Sequence, residues 1–119
     1  MDGEISAADL ETLLESEDSP VLVDIRSPLD FQREHIPTSR NVPFQRLTQD
    51  IEQFRGEDRV VTVCPHGKAS IQAANLIASF EGFDGRVESL EGGLTGWDGP
   101  TDRSTSGEEV ESSSSEAPF

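Results

Sequence analysis

The residue best suited to covalent chemistry is Cys64, the only cysteine among 119 residues. It follows the β-branched run 60–63 and precedes a polar Pro-His-Gly-Lys loop at 65–68 that opens an apolar-periodic helix. A thiol at the end of a buried strand, facing loop N–H groups and a helix N-terminus, is stabilised as the nucleophilic thiolate. The alternative interpretation, a small buried hydrophobic residue, does not account for the polar loop. The order of strand, cysteine, glycine-containing loop and helix therefore predicts a reactive cysteine and an enzyme.

The loop after the thiol has groups that can hold an anionic sulfur. Backbone N–H groups of residues 66–70 can surround the sulfur, and Gly67 allows the tight curl that this requires. Pro65 supplies no N–H, so the cradle has one donor fewer. Lys68, the only lysine in the chain, is either a positive charge for an anionic substrate or a solvated loop residue. His66 either orients substrate and tunes the thiol, or is an exposed loop histidine.

Other kinds of site fit these residues less well. Cys64, His66 and the distant His35 do not have a zinc-binding spacing, so no metal site is predicted. A nucleotide-binding P-loop is excluded because the Gly-Lys pair at 67–68 is followed by Ala69 and lacks the earlier glycine. His35 is the only distant base for a papain-like thiol hydrolase, and its His-Ile-Pro context indicates a structural role.

Short apolar strands alternate with helices along the chain, which predicts a three-layer α/β domain with a mainly parallel sheet. In such sheets ligands bind outside the carboxyl ends of the strands, the edge where Cys64 is expected. Asp24 and Arg26 end another predicted strand, and we favour an ion pair there that holds the strand–helix turn over a catalytic role. The predicted strands are 21–25, 41–42, 60–63 and 87–90. Two helices are predicted to begin after Ser6 and Ser27, and two more are predicted at 44–54 and 70–80. The residues of the last helix expected to face inward are Ile71, Ala74, Leu76, Ile77 and Phe80.

The composition is strongly acidic, with 24 Asp and Glu against 9 Lys and Arg and a formal net charge of −15. Self-repulsion of this size is largely screened at about 1 M salt, where the Debye length is about 3 Å. An acid-rich, lysine-poor composition is typical of proteins from salt-accumulating halophiles, and the alternative is an acidic mesophilic protein. No basic patch is available to displace counterions from phosphates, so we expect no nucleic-acid binding.

The chain has no sequence features of secretion or membrane insertion. A single cysteine forms no internal disulfide, the acidic N-terminus is unlike a signal peptide, and no apolar run reaches membrane-spanning length. We therefore expect a cytoplasmic protein without membrane association. We also expect one domain at residues 1–98. Residues 99–119 are predicted to form an acidic, Ser-rich disordered tail, because they contain too few apolar residues to offset the entropy of ordering.

Three separated blocks resemble the rhodanese (sulfurtransferase) family. Residues 21–31, with His-Ile-Pro at 35–37 and Asn-Val-Pro at 41–43, resemble its Asp-x-Arg…His-Ile-Pro…Asn-Ile-Pro signature. Residues 64–70 resemble its active-site loop. The Leu-Glu-Gly-Gly-Leu run at 90–94, with Trp97, resembles its closing Gly-Gly…Trp element. The blocks occur in the family's order and together span roughly residues 4–98.

The resemblance implies a five-stranded parallel sheet flanked by helices and an enzyme that needs no metal and no organic cofactor. It implies that Cys64 accepts a sulfane sulfur from a donor and becomes a persulfide. The donor would be a small sulfur-containing anion such as thiosulfate, or a protein persulfide. The acceptor would be a thiol, cyanide or a sulfur-carrier protein. The substrate-binding loop around the persulfide would consist of His66, Gly67, Lys68, Ala69 and Ser70.

The chain departs from the family pattern at several positions. Pro65 and Ala69 replace the two arginines of the common Cys-Arg-x-Gly-x-Arg-Ser loop, which leaves Lys68 as the nearest positive charge and favours a thiol-borne donor over thiosulfate. Thr38 stands where the family commonly has glycine. The six-residue loop is typical of sulfur transfer, whereas the related dual-specificity phosphatases use a longer loop that ends in arginine.

Two other functions remain as alternatives. One is a non-catalytic interaction module with the rhodanese fold, although such modules usually lack the cysteine. The other is a thiol-based oxyanion reductase of the arsenate type, which usually needs a second, resolving thiol.

Overall fold

The computed structural model describes residues 1–103. Its five strands form one parallel sheet with helices on both faces. The strands are β1 (Glu4–Ile5), β2 (Val21–Asp24), β3 (Arg40–Asn41), β4 (Arg59–Val63) and β5 (Arg86–Leu90), and the α-helices are α1 (Ala7–Leu14), α2 (Pro28–Arg33) and α3 (Ala69–Ser79). The strand order β1-β5-β4-β2-β3 places β4 at the centre of the sheet. The three-layer α/β architecture and the five parallel strands are therefore confirmed.

The first two α-helices begin where serine side chains can cap them. The Ser6 hydroxyl accepts a hydrogen bond from the Asp9 N–H at 3.1 Å, and the Ser27 hydroxyl accepts one from the Asp30 N–H at 3.2 Å. Each cap satisfies a backbone donor that the helix leaves without a partner. Pro28, whose ring fixes a helical φ, occupies the first turn of α2. Both starting points were predicted from the sequence.

The core lies on both faces of the sheet, because the side chains of β4 and Cys64 alternate between them. Val60 and Cys64 pack on the side of α3, whereas Val61 and Val63 pack on the side of α1. The cysteine therefore faces the start of α3. The α3-side cluster also contains Val23, Ile25, Ala73, Ala74, Ile77 and Val87. The α1-side cluster also contains Ile5, Leu10, Leu22, Ile36, Leu90 and Trp97.

Two sequence predictions about helices are wrong. The single helix expected at 44–54 is two short 3₁₀ helices, Phe44–Arg46 and Ile51–Phe54. Residues three apart align on a 3₁₀ turn, so an apolar spacing of three does not distinguish it from an α-helix. Leu76, expected to face inward from α3, is 38% exposed. The apolar face of that helix follows Ala73, Ala74 and Ile77 instead.

The chain continues to contact the domain beyond the predicted boundary at residue 98. His35 and Asp102 form an antiparallel bridge, with N–H to oxygen distances of 3.0 and 2.8 Å. The Trp97 indole N–H donates to the Pro100 carbonyl at 3.0 Å. Most of the predicted disordered tail, residues 104–119, lies outside the described residues.

Within residues 1–103, no helix is long and apolar enough to cross a membrane.

Candidate functional site

Cys64 lies at the carboxyl edge of the sheet, directly after β4, and is 2% exposed. The loop that follows it turns sharply and leads into α3. Gly67 has a φ of +83°, a conformation that glycine adopts without steric penalty. A Cβ atom at this position would lie 2.8 Å from the Gly92 nitrogen. The curl of the loop therefore depends on glycine both for its backbone conformation and for its close packing.

The loop directs hydrogen-bond donors at the cysteine sulfur. The Gly67 N–H lies 3.0 Å from Cys64 Sγ, and Ser70 Oγ lies 3.3 Å from it. Burial acts to raise the pKa of the Cys64 thiol. Hydrogen bonds from the Ser70 hydroxyl and from the N–H groups of Ser70, His66 and Gly67 outweigh burial and lower the pKa below its ordinary value. These hydrogen bonds favour the thiolate form of Cys64.

A second loop, after β5, supports the cysteine loop from below. The Leu94 N–H donates to the Cys64 carbonyl at 2.8 Å, and the Thr95 N–H donates to the Pro65 carbonyl at 3.0 Å. Gly93 has a φ of +60°, and a Cβ there would lie 2.6 Å from the Gly67 nitrogen. The Gly-Gly element that the sequence marked as a family feature is thus the support that holds the cysteine loop in shape.

Buried hydroxyl groups lie beneath the thiol. Ser70 Oγ is 2.6 Å from Ser89 Oγ, and the Thr62 hydroxyl donates to the Ser70 carbonyl at 2.7 Å. All three residues are 0% exposed. The sequence analysis missed Thr62 and Ser89. The available signal was a small hydroxyl residue inside each of two short strands, and pairing of these strands brings the two residues side by side.

The remaining loop residues lie at the rim of the site. His66, Lys68 and Ala69 are exposed, and Lys68 occupies the cap position at the start of α3 without a side-chain cap hydrogen bond. His66 Nδ1 is 3.3 Å from the Thr95 hydroxyl. The rim therefore presents one ammonium group and one imidazole around a nearly buried sulfur.

Asp24 and Arg26 form the ion pair that the sequence favoured. Arg26 Nη2 is 2.8 Å and Nε is 2.9 Å from the two carboxylate oxygens of Asp24, and both side chains are at least nine-tenths buried. The Arg26 guanidinium also donates to the Glu34 carbonyl. Asn41 Nδ2 donates to the backbone carbonyls of Asp24 and Arg26 at 3.1 and 3.0 Å. The pair holds the turn between β2 and α2 and does not contact the sulfur.

Other parts of the described chain do not extend this site. Residues 1–103 contain no group of three or more His, Cys, Asp or Glu side chains placed to hold a metal ion. A cavity of about 240 Å³ between Leu14, Pro37, Trp97 and Pro100 lies on the α1 side of the sheet. None of the residues of the cysteine loop lines this cavity.

Known proteins with similar sequences and structures carry the same domain. Residues 6–99 match the rhodanese-like domain family. The thiosulfate sulfurtransferase GlpE of Pseudoalteromonas translucida is 34% identical over 94 residues, which cover 79% of this chain and 87% of that protein. The GlpE of Tolumonas auensis is 34% identical over 79 residues, or 66% and 73% of the two chains. A rhodanese-like domain protein from Staphylococcus aureus has the same fold, with a TM-score of 0.76 at 21% identity over 88% of this chain and 100% of that one.

The family match covers most of the chain, and the similarity to the Pseudoalteromonas protein extends over most of both sequences. These matches include the cysteine loop and the Gly-Gly element, which the structure brings into contact. The chain therefore belongs to the family of rhodanese-like domains and is a rhodanese-type sulfurtransferase.

Proposed function

We propose that the chain transfers sulfane sulfur through a persulfide on Cys64. The observation that carries this proposal is the loop that encloses the sulfur, in which the Gly67 N–H donates to Cys64 Sγ at 3.0 Å and the Ser70 hydroxyl lies 3.3 Å from it, able to donate to a thiolate. Donors fixed before reaction stabilise negative charge without reorganising. The same donors suit the two anions of the reaction, which are the free thiolate and the terminal sulfur of the persulfide.

The first half-reaction loads the enzyme. The Cys64 thiolate attacks the outer sulfur of thiosulfate, forming a new S–S bond while the S–S bond of thiosulfate breaks. Sulfite leaves with the bonding electron pair, so no external oxidant or reductant is required. The product is a Cys64 persulfide anion, and its terminal sulfur occupies the space enclosed by the loop N–H groups.

The second half-reaction returns the enzyme to its starting state. A nucleophilic acceptor attacks the terminal sulfur, the S–S bond to Cys64 breaks, and the thiolate leaves with the electron pair. Cyanide would yield thiocyanate, and a thiol or a sulfur-carrier protein would yield its persulfide or thio product. Because one covalent intermediate links the two halves, the kinetics should be ping-pong.

The rim of the site bears on the choice of donor. Cys64 is 2% exposed, so a donor has to present its sulfur on a narrow projecting group. Both thiosulfate and a protein persulfide meet this condition. The names of the relatives favour thiosulfate, whereas Lys68 is the only Lys or Arg between residues 64 and 70. We propose that Lys68 attracts an anionic donor and that a thiol-borne persulfide also serves.

Several sequence predictions remain part of this proposal. We propose that the catalytic unit is the predicted domain at residues 1–98. The unit also includes residues 99–102, because Pro100 and Asp102 form hydrogen bonds with Trp97 and His35. A cytoplasmic location, a halophilic origin and the absence of nucleic-acid partners remain predictions from composition. None of them affects the chemistry at Cys64.

Sulfur loading of the purified chain tests the proposal. The protein is incubated with thiosulfate, or with a low-molecular-weight persulfide, in molar KCl that screens its net charge of −15. Intact mass spectrometry then follows the gain of one sulfur atom, and colorimetry follows thiocyanate release after cyanide is added. We expect loading and turnover in the parent chain and neither in Cys64→Ser. A folded parent chain that gains no sulfur from either donor would refute the persulfide mechanism.

A matched comparison tests the role of the rim. Lys68→Gln keeps the length and polarity of the exposed side chain and removes its charge. We expect this variant to have a higher KM for thiosulfate, which carries two negative charges, and a smaller change in KM for a persulfide donor, whose terminal sulfur carries one. Equal losses with both donors would show that Lys68 does not distinguish the donors by their charge.

A further inference from the structure

The buried hydroxyl of Ser89 belongs to no part of the sulfur chemistry described above. Its Oγ lies 2.6 Å from Ser70 Oγ, which in turn lies 3.3 Å from Cys64 Sγ. Within residues 1–103, the Ser70 hydroxyl is the only hydrogen-bond partner of the Ser89 side chain. Ser89 lies in β5, the neighbour of β4, and is 0% exposed. Three polar side chains from β5, α3 and the end of β4 thus form one buried chain that ends at the sulfur.

The direction of the hydrogen bonds along this chain depends on the charge of the sulfur. A thiolate has no hydrogen, so Ser70 must donate to it and can only accept from Ser89. Each hydroxyl hydrogen then has an acceptor. In the neutral thiol, the three hydrogens on Cys64, Ser70 and Ser89 share two contacts, so one of them is left without an acceptor among residues 1–103. A buried donor without an acceptor is unfavourable, so the chain of hydroxyls is complete only when the sulfur is an anion.

We propose that Ser89 is a positioning residue that holds the Ser70 hydroxyl in the orientation that donates to the Cys64 sulfur. Ser89 acts through Ser70 and does not touch the sulfur itself. Without Ser89, the Ser70 hydroxyl loses the donor that polarises it and is free to rotate away from the sulfur. The inference concerns the thiolate on which the proposed function rests, and it can be tested without any sulfur transfer.

The alkylation rate of Cys64 as a function of pH tests the proposal. Iodoacetamide reacts with the thiolate, and Cys64 is the only cysteine, so the rate of mass gain follows its ionisation. At pH values below the pKa of the thiol, we expect Ser89→Ala to be alkylated about threefold more slowly than the parent chain. A factor of this size corresponds to the loss of one neutral hydrogen bond that helps to stabilise the thiolate. At pH values well above the pKa the two rates should be equal. A rate that is unchanged at every pH would overturn the proposal.

A double-mutant cycle separates positioning from a purely structural effect. If Ser89 acts through Ser70, the effect of Ser89→Ala disappears when Ser70 is already alanine. An equal effect in the Ser70→Ala background would refute the proposed route. Ser89→Thr keeps a hydroxyl in β5 and should restore the pH profile of the parent chain, and failure to restore it in a folded protein would also count against the proposal.

Thr62→Val is the matched control for packing. Thr62 pairs with Ser89 across the strands and donates to the Ser70 carbonyl, not to its hydroxyl. This variant should lower the thermal midpoint while its alkylation profile stays that of the parent chain. A shift equal to that of Ser89→Ala would show that any loosening of this layer alters the thiol, which would overturn a specific role for Ser89. A chain that takes up no sulfur yet shows the Ser89 effect would refute the proposed function and leave this inference standing.

Discussion

Replacing Gly93 by alanine should damage the cysteine loop more than any other glycine substitution in the same turn. Gly93 has a φ of +60°, and a Cβ there would meet the Cys64 carbonyl oxygen, the Gly67 nitrogen and the Pro65 carbonyl carbon. The last two distances would be 2.6 Å and the first shorter still, against 3.4 Å for ordinary contact, so the loop must move by at least about 0.8 Å. The atoms that must move belong to the backbone that directs N–H groups at the sulfur.

Two effects contribute to the expected magnitude. An alanine in the left-handed region costs about 1–2 kcal/mol, and overpacking against a fixed backbone costs about 1–3 kcal/mol more. In a domain of this size each kcal/mol lowers the thermal midpoint by about 4–8 °C. Displacement of a catalytic group by about 1 Å can lower a rate about 100-fold. We therefore expect Gly93→Ala to lose about 100-fold in thiocyanate formation and to remain folded at low temperature.

Two neighbouring glycines provide the controls. Gly92 also has a positive φ, of +77°, but a Cβ there would meet only the Gly96 Cα at 3.9 Å, so Gly92→Ala measures the conformational strain alone. A Cβ on Gly96 would meet no atom within 4 Å, so Gly96→Ala should be close to neutral. Thermal midpoints, thiocyanate formation and Cys64 alkylation are measured for all three variants. If Gly92→Ala and Gly93→Ala were alike in all three measurements, the close contact between the two loops would have no functional consequence.

Three further perturbations have defined outcomes. Thr38 is a β-branched residue with a φ of +70°, a strained conformation for such a side chain. Thr38→Gly should therefore raise the free energy of unfolding, measured with urea, by about 1 kcal/mol. A decrease would show that Thr38 is not strained. Arg26→Met leaves the Asp24 carboxylate buried without its partner and should lower the free energy of unfolding by about 3–5 kcal/mol at neutral pH. Hydrogen bonds to the sulfur lower the pKa of Cys64, so the thiolate persists to lower pH than in an unfolded chain. The alkylation rate of the folded protein should therefore decline at a lower pH than that of the urea-unfolded chain, which is the control.

Much of the fold follows from local sequence patterns. The runs at 21–25 and 60–63 are short, mostly apolar and rich in β-branched residues, which is typical of strands buried on both sides in a parallel sheet covered by helices. Ser6 and Ser27 cap the helices that follow them because a short hydroxyl side chain bonds the backbone within its own turn. Interactions over three or four residues do not depend on the rest of the fold, which is why they could be predicted.

The errors arose where one pattern fits two structures. The spacing of Phe44, Leu47, Ile51 and Phe54 suits both an α-helix and a pair of 3₁₀ turns, and the local sequence does not distinguish them. Leu76 fits the periodicity of an inward helix face, yet the side chains of Ala73 and Ala74 allow α3 to lie close to the sheet on a different face. The depth at which a helix packs depends on the element beneath it.

The sequence by itself determined the candidate nucleophile, because one cysteine stands between an apolar strand and a glycine loop that leads into a helix. It also determined the parallel sheet that carries this cysteine to the edge where ligands bind. Only the tertiary structure decided what surrounds the sulfur. Gly93 is 29 residues from Cys64 and Ser89 is 25, and strand pairing between β4 and β5 brings both beneath the loop. Contacts between residues this far apart arise from the register of the sheet, which no local pattern in either segment specifies.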